Sequence, residues 1–137
     1  MAERSFLDSN VLIYTDDSSS PAKQRAALQL VARCRRQRNG VVSLQVLEEY
    51  FSITTRKLGV DAAIARRKVE LFSQLSMVAT HVDDVLAAID LHRLHQFPFW
   101  DALVIRSALQ AGCSRLYSED LQHGRRIDGV EIVNPFR

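Results

Sequence analysis

Cysteine is scarce in this sequence: only Cys34 and Cys113 occur, in no CxxC or paired-histidine spacing, so neither a disulfide framework nor a structural zinc site is expected. Both thiols read as small apolar residues in a reducing compartment. No apolar run approaches the roughly 20 residues that span a bilayer, and the opening MAERSF has no apolar signal core. The expectation is a cytoplasmic protein with no membrane partner. There is no repeat, linker or low-complexity segment. Charge of one sign is lacking too: 18 Lys plus Arg stand against 16 Asp plus Glu, a net charge of +2. That balance is too small to identify a nucleic-acid binder by itself, so local placement of charge must carry any such argument.

What the sequence does have is apolar content enough for a core. At 47% hydrophobic over 137 residues, it suits one compact domain over 1–137 and is too short for two ordinary ones. Strand and helix signals alternate. A brief apolar strand over 5–8 is followed by a polar stretch and then Ser20-Pro21, a cap followed by proline at the first helical position. That predicts a helix over 21–39, with Gly40 as its stop. A strand over 41–43 leads to a helix over 44–58 with Val46, Leu47, Tyr50, Phe51, Thr54 and Leu58 at helical spacing, ended by Gly59. Further signals predict a helix from an Asp61 cap to 74, a strand over 77–79, and a helix from an Asp83 cap to 96. Pro98 precedes a helix over 100–111 closed by Gly112, and strands over 115–118 and 130–133 complete the pattern. Short strands separated by helices imply an α/β fold with a mostly parallel sheet covered on both faces.

Four acids fall where a strand ends or a helix begins. Asp8 closes the first strand, Asp101 opens WDALVIRSALQAG, Asp120 ends LYSED, and a glutamate lies early in SLQVLEEYF. In open α/β sheets, ligands bind outside the carboxyl ends of the strands. Carboxylates gathered there repel one another unless a cation or shared protons hold them, and a hard divalent metal is the simplest resolution. Each acid also has an ordinary role: Asp8 and Asp120 suit turns or caps, and Asp101 suits the positive end of its helix, worth ~0.3–1 kcal/mol. The large apolar groups of FPFWDALVI weigh against that reading for Asp101, because they desolvate an unpaired carboxylate at greater cost. Glu48 and Glu49 flank the apolar stripe at similar angles, and helical spacing does not choose between them. Asn10 suits either orienting Asp8 or completing a turn. Ser118, two residues before Asp120, is placed to hydrogen-bond a carboxylate or a metal-bound water.

The segments LDSN, SLQVLEEYFSITTRK, FWDALVIRSALQAG and LYSEDLQHG followed by VEIVNPF together resemble a PIN domain of the toxin class found in VapBC-type toxin–antitoxin pairs. The resemblance covers essentially the whole chain. It implies a three-layer α/β/α domain with Mg²⁺- or Mn²⁺-dependent ribonuclease activity. It also implies hydrolysis leaving a 5′-phosphate and a 3′-hydroxyl, frequent homodimerisation, and neutralisation by a cognate antitoxin. Carried over by position, the acids are Asp8, Glu49, Asp101 and Asp120, which selects the second glutamate of LEEY, and Ser118 occupies the Ser/Thr position accompanying the last acid. A phosphodiester is itself anionic, so such a cluster binds it only through metal that reverses the local sign. Asp8 and Asp101 are then expected as inner ligands, with Glu49 and Asp120 acting directly or through water.

Arg56 and Lys57, and Arg125 with Arg126, are candidate contacts to flanking RNA phosphates, although each alone reads as ordinary surface charge. Arg33, Arg35, Arg36 and Arg38 suit a helix C-terminus. His92 and His95 read as surface or interface groups, no role is assigned to His123, and Phe99 and Trp100 read as core or dimer contacts. Two rival readings are a catalytically weak PIN-like module binding RNA or protein, and a phosphatase of the haloacid dehalogenase class. The latter needs a DxD arrangement that Asn10 interrupts.

Overall fold

The computed structural model describes residues 3–137, so the first two residues of MAERSF lie outside the described residues. Six strands form one sheet in the order β3-β2-β1-β4-β6-β5. They are β1 (Ser5–Leu7), β2 (Gly40–Ser43), β3 (Ser76–Val78), β4 (Arg115–Tyr117), β5 (Arg126–Ile127) and β6 (Val130–Val133). All pairings are parallel except the β5–β6 hairpin. Every residue of β1 and β2 is buried, as expected of strands covered on both faces. The helices are α1 (Ser9–Tyr14), α2 (Pro21–Gln37), α3 (Leu44–Lys57), α4 (Ala62–Phe72), α5 (Val82–His95) and α6 (Phe99–Gln110).

The chain runs outward from β1 to β2 to β3, then returns past all three to β4 on the other side of β1. Right-handed crossovers in opposite directions place α1–α4 and α5–α6 on opposite faces, which makes the α/β/α layering. They also create a topological switch point between β1 and β4, where the loops leaving the two strands diverge and open a crevice. Asp8 follows β1 directly, and Ser118 to Asp120 follow β4.

Several boundaries differ from expectation. SNVLIY is a short helix rather than a simple apolar run, capped by Asp8, whose side chain accepts from Ser9 N. Helix α2 ends at Gln37, and the left-handed residue closing it is Arg38 (φ 54°). Gly40 instead begins β2, where an added Cβ would lie 2.9 Å from Cys34 Cβ, so glycine is needed there for close packing. Helix α5 is capped by His81, with Asp84 returning its carboxylate to the His81 backbone N–H. Asp83 merely lies in its first turn. Strand β5 went unread, although Asp128-Gly129, both at positive φ, is the two-residue turn such hairpins favour.

Candidate active site

The three residues of the 118–120 segment divide by their partners: Ser118 and Asp120 contact Asn10, and Glu119 contacts Tyr14 and Lys23. Ser118 is fully buried and its hydroxyl donates to Asp8 Oδ2 at 2.8 Å. Asp8 Oδ1 accepts from the Ser9 backbone at 2.7 Å. Asn10 joins the two loops: its Nδ2 lies 3.4 Å from Asp8 Oδ2, 3.2 Å from Ser118 Oγ and 3.2 Å from Asp120 Oδ2. Its Oδ1 accepts from the Glu119 backbone N–H at 3.1 Å. Of its two sequence-level roles, Asn10 therefore fills the orienting one.

The remaining two acids arrive from helices. Ser43 caps α3 by accepting from Val46 N, and Glu49 projects from the second turn, half-buried, while Glu48 is exposed. The tie between the two glutamates is thus resolved by burial. Asp101 lies in the first turn of α6 and is also half-buried. Gln45 Nε2 donates to the Trp100 carbonyl at 3.4 Å, connecting the starts of α3 and α6.

The electrostatics register this convergence. Burial pushes the Asp8 carboxyl up to about 6, against the opposing hydrogen bonds from Ser118 and Ser9, and the charges of Glu49 and Asp120 push in the same direction as burial. Glu49 is raised by burial, then by Asp101 and Asp120, with Gln45 and Ser9 pulling the other way. Asp101 is raised by burial and by Asp120. The four acids are therefore linked through one another's charges, Asp120 acting on the other three and Glu49 standing between Asp8 and Asp101. Glu49 Oε1 is buried without a hydrogen-bond partner, an arrangement costly for a carboxylate oxygen. The set is all oxygen, anionic and incompletely satisfied, which fits a hard divalent cation. Among the described residues, no three Asp, Glu, His or Cys side chains stand as a ready-made ligand group, consistent with mutual repulsion between carboxylates.

The outlying candidates are not brought in. Arg56 and Lys57 are exposed in the last turn of α3, so Lys57 lies about 12 Å along the helix from Glu49 at 1.5 Å per residue. Arg125 stacks over the Phe97 ring at 4.5 Å and approaches His95 Nδ1 at 3.5 Å. Arg126 pairs with Glu131 at 3.6 Å. His92 Nδ1 lies 2.5 Å from the Phe97 carbonyl, and His123 Nδ1 accepts from Asn134 N at 2.9 Å; both bond to backbone rather than to the acids. Phe99 packs on the core. Trp100 does not: it is 64% exposed, because its position in the first turn of α6 faces outward.

Sequence reasoning missed a cation beside the acids. Lys23, on α2, lies 2.6 Å from Glu119 Oε2, and Tyr14 OH donates to Glu119 Oε1 at 2.6 Å. Glu119 is thereby half-buried and paired. No sequence signal joins positions 14, 23 and 119, since only the sheet order brings them together.

Comparison with known proteins agrees with this architecture. Among solved structures, a toxin–antitoxin complex from Klebsiella pneumoniae superposes with a TM-score of 0.70 at 18% identity, covering 96% of this chain and 97% of that one. VapC20 of Mycobacterium tuberculosis, described as a toxin cleaving the sarcin–ricin loop, superposes with a TM-score of 0.64 at 21% identity, covering 82% and 86%. At such identities the likeness is one of fold. No curated protein matches by sequence. The PIN domain family model matches residues 5–128, a span that includes all four acids and every strand of the switch point, and the chain therefore belongs to the PIN domain family.

Proposed function

We propose that this chain is a metal-dependent ribonuclease that hydrolyses RNA phosphodiester bonds, acting as the toxin of a type II toxin–antitoxin pair. The observation that carries the reading is the electrostatic linkage of Asp8, Glu49, Asp101 and Asp120 near the β1/β4 switch point, with a buried Glu49 oxygen left unpartnered. Asp8 and Asp101 would hold a Mg²⁺ or Mn²⁺ ion directly, with Glu49 and Asp120 contributing directly or through water. Such an ion supplies a more acidic water and stabilises charge developing on phosphorus-bound oxygens. The protein's own residues keep the acids in place. Asn10 and Ser118 donate to Asp8, which fixes the carboxylate orientation and favours its ionised form. The buried walls around Asp8 limit water at the centre, which strengthens every electrostatic interaction there.

Two partners accompany this reading. The Klebsiella pneumoniae neighbour is a toxin–antitoxin complex, which supports a cognate antitoxin for this chain. A homodimer is supported by α5, where Val82, Leu86 and Ile89 recur at helical spacing and are 74%, 54% and 38% exposed, an apolar stripe of the kind association covers. Light scattering behind size exclusion checks this: Leu86→Glu should convert a dimer to a monomer, and a wild-type monomer at high concentration removes the dimer.

The decisive experiment incubates purified protein and its Asp8→Asn variant with a mixed structured-RNA pool in Mg²⁺, Mn²⁺ or EDTA. Cleavage that needs metal and disappears in the variant is expected. No cleavage in either metal, together with no metal binding by calorimetry, would sink the nuclease and leave the PIN-like binding module.

A further inference from the structure

Asp120 is the one acid of the four that is exposed, and its charge opposes the other three. It also lies outside regular structure, three residues past β4. Its own restraints are long: Asn10 Nδ2 at 3.2 Å on the carboxylate and Ser118 Oγ at 3.2 Å from its amide. Repulsion should therefore swing this segment outward unless something stronger holds it. The shortest contacts in the segment belong to its neighbour. Glu119 is gripped on both oxygens, by Tyr14 OH and by Lys23 Nζ, each at 2.6 Å. Lys23 closes the triangle at 3.3 Å from the Tyr14 hydroxyl and lies over the Tyr14 ring at 5.1 Å. Tyr14 is in turn seated edge-on against Phe136 at 4.7 Å.

Taking the nuclease reading as its premise, we propose that the Tyr14–Glu119–Lys23 clamp is a positioning device that holds Asp120 in the acidic crevice. Because Glu119 lies between Ser118 and Asp120, anchoring its side chain on Tyr14 and Lys23 fixes the backbone from which those two residues reach Asn10. The clamp also neutralises a fifth carboxylate that would otherwise add to the repulsion. Its members touch no reacting atom; they act through the backbone of Glu119, whose amide is simultaneously held by Asn10. An ion pair whose side chains are 42% and 25% exposed adds little to global stability. Its loss should therefore be felt at the site rather than in the fold.

The test compares Lys23→Met, Glu119→Gln, their double variant, Tyr14→Phe and Lys23→Arg with wild type. Mn²⁺ affinity is measured by calorimetry without RNA, and cleavage as kcat and KM. Loss of outer hydrogen-bond partners of ligating groups typically costs roughly 10–100-fold in metal affinity or activity. Lys23→Met and Glu119→Gln should each fall in that range, with KM for RNA and the melting temperature nearly unchanged. The double variant should be no worse than the poorer single one, and Lys23→Arg should recover most of the loss. Wild-type Mn²⁺ affinity and kcat in both single variants would overturn the clamp. If the wild-type protein itself neither binds Mn²⁺ nor cuts RNA, the nuclease reading fails separately. The clamp is then judged by amide hydrogen exchange over residues 118–122 of the metal-free protein. Faster exchange in Lys23→Met and in Tyr14→Phe, which removes a single hydroxyl, sustains it, and unchanged exchange overturns it.

Discussion

Replacing Asp8 by asparagine should make the metal-free protein more stable at neutral pH while abolishing its activity. Asp8 is 6% exposed, and burial raises its pKa from 3.8 to about 6. A rise of that size, about 2, corresponds to about 3 kcal/mol at ~1.4 kcal/mol per unit. The sign is the reverse of the usual salt-bridged aspartate. The folded state binds its proton more tightly than the unfolded chain, so between pH 3.8 and about 6 the unfolded state ionises first and folding loses ground. The full penalty, about 3 kcal/mol, stands above pH 6 and is absent below 3.8. Asparagine removes the charge and still accepts from Ser9 N. Its amide must, however, donate to the Ser118 hydroxyl that now donates to Asp8 and gives up the long bond from Asn10 Nδ2, a rearrangement costing about 1–2 kcal/mol. The expected net gain is about 1–2 kcal/mol at pH 7.5 in EDTA, shrinking to nothing or reversing near pH 4. Urea unfolding followed by circular dichroism measures it. If the acids hold metal as proposed, added Mn²⁺ should then reverse the ranking, since wild type gains more binding energy in the folded state than the variant. An Asp8→Asn protein less stable than wild type at pH 7.5 in EDTA, or two stability–pH curves that run parallel, would refute the argument that burial strains this carboxylate.

Gly40→Ala places a methyl 2.9 Å from Cys34 Cβ and 3.1 Å from Leu75 Cδ2; overpacking of about 1–3 kcal/mol is expected, visible as a lower urea midpoint with RNA cleavage per folded molecule retained. Asp84→Asn removes the charge paired with Arg106 Nε at 2.9 Å and leaves one buried oxygen to serve both Arg106 and the His81 amide, which should cost about 1–3 kcal/mol. Because the His81 backbone bond, reinforced by Arg106, holds that carboxyl below its ordinary value, the contribution is present above the ordinary carboxylate pKa and is lost as pH falls through the lowered one, so wild type and variant should converge in acid. Arg125→Ala should leave RNA affinity and its salt dependence unchanged and cost stability instead, because its guanidinium covers Phe97; filter binding of the Asp8→Asn protein with and without the second substitution decides this. Trp100 is the only tryptophan and is 64% exposed beside Asp101, so its emission should be red-shifted in the free protein and change when a single-stranded oligoribonucleotide binds the Asp8→Asn variant.

The parts of the molecule that were legible in the sequence are those written in local pattern. Strand and helix alternation, the Ser20-Pro21 start of α2 and the apolar stripe of α3 each follow from a few neighbouring residues, and they suffice for a parallel α/β fold. Helix α1 escaped because six residues are less than two turns, too few for helical periodicity to show within an apolar run. The cap of α5 was misplaced by one plausible acid, since His81 does the capping while Asp84 reaches back. The four candidate acids stand out in the sequence because strand-end and helix-start positions are local properties.

The clamp was illegible for the complementary reason, and that difference says something about how the site is built. Each acid lies in or close to one element, so its position survives as a local signal. Holding the acids together against their repulsion is a collective task, performed by residues whose proximity exists only after β4 pairs with β1. Asn10 shows both kinds of role at once: locally it belongs to the first turn of α1, and globally it bridges Asp8, Ser118 and Asp120. Its amide supplies a donor where a second aspartate would add another negative charge, so Asn10→Asp should lower Mn²⁺-free stability at neutral pH and relax it toward wild type in acid, where the new carboxyl is protonated. Equal destabilisation at pH 4 and pH 7.5 would mean that Asn10 matters for its shape, and that charge repulsion is not what the surrounding network restrains.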